Sequence, residues 1–232
     1  MDNFLVVGQC GEKGKSLEYR LQAEDVGFRG FRLKAVLQTS PRVDPPPIFF
    51  QQEECMTEVD LRFPIGKFKW EGDATDEQRQ QFIRAIAETP ARVRAAIAGL
   101  SAEQLETPYR PDGWTVRQVV HHLVDSHINS YVRFRLALTE DAPTIKPYYE
   151  ERWAELADAR QAPVDLSLAL LDALHQRWVI LLESLTAEDY ARTFTHPEMG
   201  QVPLDKNLAL YSWHGRHHVA HITSLRERMG WS

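Results

Sequence analysis

Cysteine is nearly absent from this chain. Its 232 residues hold two, Cys10 and Cys55, and neither sits in a CxxC pair. Two thiols cannot build a disulfide framework. Basic excess is missing too. Lys and Arg number 27 against 33 Asp and Glu, for a formal net charge of -6. A dedicated nucleic-acid binder carries a basic face, so nucleic acid is not expected as a partner. No apolar run approaches the roughly 18 residues a membrane helix needs. The opening stretch Met1 to Gly8 lacks the basic and long apolar regions of a secretion signal. A cytoplasmic location is the default expectation. What is present is a globular balance of 43% hydrophobic and 26% charged residues, with nine histidines.

Organisation changes near residue 56. Residues 1–55 hold both cysteines, the run Pro45-Pro46-Pro47 and no long amphipathic period. Phe4-Leu5-Val6-Val7 and Ala35-Val36-Leu37 are possible strands, but regular alternation and clear hairpin turns are lacking. This segment reads as an irregular N-terminal extension. Two readings compete: an overlong gene model with the true start at Met56, or a loosely packed arm.

Residues 56–232 read as helical. Thr75-x-x-Gln78 is a capping box, with Asp76 and Glu77 in the first turn. The helix it opens runs to about Leu100, and Pro90 is expected to kink or interrupt it. Ser101-x-x-Gln104 opens a short helical turn. Thr115-x-x-Gln118 starts a second long helix, ending near Leu138. A short helix is expected over Tyr149 to Ala157. A third long helix spans about Asp165 to Leu185. Residues 186–203 form a linker with room for a helical turn or a hairpin. The fourth helix runs from about Leu204 to Met229, and Gly230 stands where a left-handed cap belongs. Four long amphipathic helices predict an all-α four-helix bundle.

Most of the histidines fall in two clusters. One lies in Trp114 to His127, the other in Tyr211 to His221. His214 and His218 are four residues apart, as are His217 and His221. This spacing places two imidazoles on one helix face, within reach of one metal ion. The HExxH pattern is absent. A third imidazole must come from another helix, from His121 or His122. On the fourth helix His218 lies about 40° from His214 and His221 about 20° the other way, whereas His217 is a boundary position about 60° off. On the second helix His122 shares a stripe with Ser126, Asn129 and Arg133, all within about 40° of it, while His121 lies about 100° away. A polar stripe on a bundle helix is costly if buried without partners, but it suits a pocket wall. His122, His214 and His218 are therefore the expected ligands, with His221 as their partner or a wall of the pocket. His127 lies off the ligand face. His175 reads as a packing or pocket-wall residue, and His196, before Pro197, as exposed. Trp114, Trp178, Trp213 and Tyr211 read as core.

At these residues the chain resembles the DinB-like superfamily of metal-binding bundles. Within it the match is to the metal-dependent hydrolase group that includes a bacillithiol S-transferase. The resemblance rests on Phe63-Pro64-Ile65-Gly66, Thr107-Pro108-Tyr109-Arg110, the stretch Gly113 to Leu123, Asp125-Ser126-His127, Leu174 to Trp178, Tyr211-Ser212-Trp213-His214, Ala220 to Thr223 and Arg228 to Ser232. It covers residues 56–232. Family members begin near the equivalent of Met56, which favours the start-site reading. The family's triad, one histidine on the second helix and an HxxxH pair on the fourth, falls on His122, His214 and His218. The resemblance further implies one zinc or nickel ion per subunit and a homodimer. Gly215-Arg216 departs from a more histidine-rich stretch in other members, and no expected ligand is lost by it.

Three imidazoles leave a coordination position open, as in catalytic zinc sites. The vacant position suits either a water that becomes a hydroxide nucleophile or a thiol that becomes a thiolate. Hydrolysis usually also needs a general base. Asp125, about 60° around the helix from His122, is the one obvious carboxylate on the ligand helices. It is equally a candidate to orient an imidazole or to be a surface acid. Arg133 is a candidate to bind a substrate carboxylate, against the plainer reading of a salt-bridged arginine. The leading expectation is transfer of a low-molecular-weight, bacillithiol-like thiol to an electrophilic small molecule. A metal-dependent hydrolase and a non-catalytic metal or ligand sensor are the alternatives.

Overall fold

The computed structural model describes residues 20–24, 32–36 and 60–231. The chain divides into units of residues 1–56 and 57–232. Phe4 to Val7, the proline run, both cysteines and Met56 lie outside the described residues. In the first unit β1 (Arg20–Glu24) pairs antiparallel with β2 (Arg32–Val36), in the register Arg20 to Val36. That pairing occupies part of the segment read as irregular. Polar and apolar residues alternate through β1, Arg-Leu-Gln-Ala-Glu, and through the first four residues of β2, Arg-Leu-Lys-Ala.

The second unit is built on four long helices: α1 (Asp76–Ile97), α3 (Val116–Thr139), α6 (Val164–Glu183) and α8 (Leu204–Met229). Each packs on two others, in the cyclic order α1, α8, α3, α6. Short elements join them: α2 (Ala102–Leu105), α4 (Glu150–Trp153), α5 (Ala157–Gln161), α7 (Ala187–Ala191) and a hairpin of β3 (Thr193–His196) with β4 (Gly200–Pro203). The helix expected over Tyr149 to Ala157 is thus two pieces. The linker before α8 holds both a helix and a hairpin. No described helix is long and apolar enough to cross a membrane.

Local chemistry sets the helix ends. The Thr75, Ser101 and Thr115 hydroxyls accept from the backbone N–H three residues on, and the glutamines at those positions bond back. Thr186 and Asp189 do the same for α7. Gly230, at φ 63°, caps α8 in the left-handed region that glycine enters without penalty. Pro90 does not break α1, which runs unbroken through it. Proline removes the donor to the carbonyl four residues back, here Ile86. The His175 ring replaces it, with Nδ1 2.7 Å from the Ile86 oxygen.

The apolar core is split. One half gathers Ile83, Ile86, Phe134, Trp178, Leu182 and Leu208. The other gathers Val93, Val120, Leu123, Leu168, Leu171 and Ile222. On every long helix polar residues fall between the two halves in sequence: Thr89 on α1, Ser126 and His127 on α3, His175 on α6, and His214 to His221 on α8; His122 lies one turn before Ser126, beside the second half. The bundle therefore has a histidine-rich waist.

Gly215 sits at that waist. A Cβ there would lie 2.6 Å from Thr89 Oγ1 and 3.0 Å from its Cγ2. Alanine normally gains about 1 kcal/mol over glycine in a helix. Overpacking costs about 1–3 kcal/mol. Gly215→Ala is expected to destabilise the fold by up to about 2 kcal/mol on these terms, and Thr89→Ala in the same chain to recover most of it. Denaturant unfolding of the double-mutant cycle checks this. An additive cycle would mean the helices are not in contact there.

Candidate metal centre

Helix α3 brings one imidazole to the waist and α8 brings two. His122, His214 and His218 each offer a ring nitrogen, and these atoms all lie within 4.8 Å of one another. The rings meet at angles, with centroids 4.8 Å apart for His122 and His218, 5.4 Å for His122 and His214, and 4.5 Å for His214 and His218. Burial holds all three neutral. It lowers His122 to about 4, with the His221 and His217 charges adding to the effect, and lowers His214 and His218 well below the usual 6.5. Three neutral imidazoles so close together, with no carboxylate bonded to them among the described residues, suit a divalent cation rather than each other. An all-imidazole donor set of this kind fits a divalent transition metal.

The cluster forms part of the wall of a cavity of about 820 Å³. Ser126 and Arg133, one stripe with His122 on α3, line it as well. Trp114 packs on the His122 ring at 4.5 Å and against the apolar core, and both Trp114 and Trp213 line the cavity. Tyr211 and Trp178 are buried, as their sequence setting suggests. Among the charged lining residues Arg133 is half-buried, while Lys146, Glu150, Glu151 and Glu198 are exposed. The Arg133 charge bears on the Tyr211 phenol and on His196.

Asp125 is half-buried, outside the cavity lining, and hydrogen-bonded to no imidazole. Burial and the Asp158 charge push its carboxyl up to about 6. His121 bonds Ser167 Oγ at 2.7 Å and stands apart from the cluster. His217 stacks on Trp213 at 4.2 Å. His196 is not exposed but 8% accessible, and it lines the cavity from the end of β3. The hairpin, left open in the sequence as one form of the 186–203 linker, turns it inward, and its Nδ1 accepts from the Glu198 N–H at 3.2 Å.

His127 stands beside the cluster. It lies off the ligand face of α3 yet is fully buried, with Nε2 3.1 Å from His214 Nδ1. A single helical wheel measures angle from His122. It does not show that α8 closes over the adjacent face. His175 bonds the other side of His127 at 2.9 Å. Its place in the apolar stripe Leu168, Leu171, Leu174, Trp178 was the available signal. His221 bonds His218, Nδ1 to Nδ1, at 3.3 Å.

Fold and site together define a four-helix bundle with a histidine cluster that can hold a metal ion beneath a cavity. Comparison with known proteins places it more closely. The DinB superfamily model matches residues 85–222. A Bacillus mycoides protein and a Bacillus cereus protein, each named "putative metal-dependent hydrolase", are 58% identical over 172 residues, covering 74% of this chain and 99% of theirs. The solved structure of YfiT from Bacillus subtilis, titled a "probable metal-dependent hydrolase with an unusual four-helix bundle topology", is 50% identical. It superposes with a TM-score of 0.73, over 75% of this chain and 100% of that one. The chain belongs to the DinB superfamily.

Proposed function

We propose that the protein is a metal-dependent enzyme in which His122, His214 and His218 hold a zinc or nickel ion, and that it transfers a low-molecular-weight thiol to an electrophilic small molecule. The observation that carries this reading is the convergence of three neutral imidazoles at a cavity whose carboxylates are all exposed. When bound, the ion supplies a positive charge that acidifies a thiol or a water. The chain supplies the rest. Trp114 and Trp213 wall the cavity and restrict water. Ser126 and Tyr148 present hydroxyl groups, and burial pushes the Tyr148 phenol up, so it stays a donor. Arg133 is placed to bind a carboxylate on the incoming thiol.

Transfer is preferred to hydrolysis because no carboxylate lining the cavity is buried beside the cluster to serve as a base, and a thiol brings its own nucleophile once deprotonated. The second reading, hydrolysis, is favoured by the names of the relatives.

Incubation of the metal-loaded protein with bacillithiol and chlorodinitrobenzene is expected to give the S-conjugate. Arg133→Met is expected to raise KM for this anionic thiol by about 10- to 100-fold, the loss of one charge-assisted hydrogen bond. It should leave KM for neutral 2-mercaptoethanol nearly unchanged. Ester hydrolysis without conjugation of any thiol would favour the hydrolase. Metal binding without turnover of either kind would favour a sensor.

A further inference from the structure

We propose that His175, His127 and His221 are positioning residues: they fix the tautomers of His214 and His218 through two hydrogen-bond chains, each anchored on a backbone carbonyl. The proposal rests on the reading that His214 and His218 hold a metal.

The first chain starts at Ile86. A carbonyl oxygen only accepts, so His175 Nδ1, 2.7 Å away, carries a proton and donates it. In a neutral ring Nε2 is then bare. It lies 2.9 Å from His127 Nδ1, which must donate to it. His127 Nε2 is bare in turn and accepts from His214 Nδ1–H at 3.1 Å. The lone pair left to His214 is on Nε2.

A second chain reaches His218 independently. The Arg62 carbonyl, in the turn before α1, accepts from His221 Nε2–H at 3.1 Å. His221 Nδ1 is therefore bare and accepts from His218 Nδ1–H at 3.3 Å. Again Nε2 keeps the lone pair. Two anchors on different segments thus impose one tautomer on both α8 histidines, the form with Nε2 free to bind a cation.

Pro90 explains why the first anchor is available. The Ile86 oxygen would otherwise accept from the N–H of residue 90, which proline lacks. The chemistry of the chain matters as well. A carboxylate partner raises the basicity of a ligand imidazole. A chain of neutral rings ending on a carbonyl orients the ligand without adding negative charge, so more of the cation's charge remains for an incoming thiol.

The direct test is nitrogen-15 NMR of histidine-labelled, metal-free full-length protein at neutral pH. Proton-bearing Nδ1 is expected on His127, His175, His214 and His218, and proton-bearing Nε2 on His221. A proton on Nε2 of His214 or His218 overturns the proposal. In His175→Leu the first chain loses its anchor. The His214 tautomer should become mixed, and zinc should bind about 10- to 100-fold more weakly. His175→Gln, whose amide offers one donor and one acceptor, should recover most of that affinity. An unchanged His214 tautomer and zinc affinity in a folded His175→Leu protein would overturn the first chain, and His221→Leu tests the second through His218. Failure of the metal reading looks different. There the wild-type tautomers stand as described, but zinc binds no more weakly after His122→Ala.

Discussion

Replacing His122 with alanine is expected to weaken divalent metal binding by well over 100-fold and to take metal-dependent turnover with it. Loss of a group that merely orients a ligand costs about 10- to 100-fold, and a ligand should cost more. His122 is the sole contribution of α3 to the cluster, while His214 and His218 sit a turn apart on α8. Two imidazoles on one helix remain, open to water and easily exchanged. The metal-free fold should be kept, because the ring takes part in no hydrogen bond among the described residues and its loss removes only packing against Trp114, His214 and His218. That separates a binding defect from misfolding. The wild type should gain about 2.7 kcal/mol of stability at a metal concentration a hundred times Kd, and the variant close to none. Calorimetric titration with zinc and thermal melts with and without it measure both. Equal affinity in the two proteins would remove His122 from the site.

The second large effect is a loss of metal-free stability as pH falls from about 6.5 to 4. Burial first, and then neighbouring imidazoles for some, lowers His122, His175, His217 and His221 from 6.5 to about 4. It lowers His127, His214 and His218 further. Between the folded and unfolded values the unfolded chain binds more protons than the folded one, so stability rises with pH. The stabilisation is complete above 6.5 and is lost as pH falls through the folded values. One such histidine steepens the slope by up to about 1.4 kcal/mol per pH unit. Asp125 works against this, because a carboxyl raised to about 6 binds its proton first in the folded state. One carboxyl does not offset seven imidazoles. Urea unfolding with a chelator present should show the midpoint falling steeply across this range. A flat midpoint would mean the waist is hydrated or already charged at neutral pH.

Much of the bundle was legible because its signals are local. Thr75 with Gln78 and Thr115 with Gln118 mark helix starts through bonds within one turn, and Gly230 marks an end by its backbone freedom. The polar stripe from His122 to Arg133 is likewise a property of one helix. What escaped needed two segments at once. His127 meets His214 across helices and His175 meets Ile86 across helices. His196 depends on a hairpin whose strands are four residues each. Pro90 looked like a helix breaker because its compensating donor sits on another helix. The α7 capping box uses Asp189 in place of glutamine and was passed over.

X-ray absorption at the metal edge of the loaded protein tests the central claim most directly. The account predicts three imidazole rings around one ion per chain, with a single remaining light-atom ligand, falling to two rings in His122→Ala. A shell of oxygens without imidazole, or the same spectrum from the variant, would contradict it.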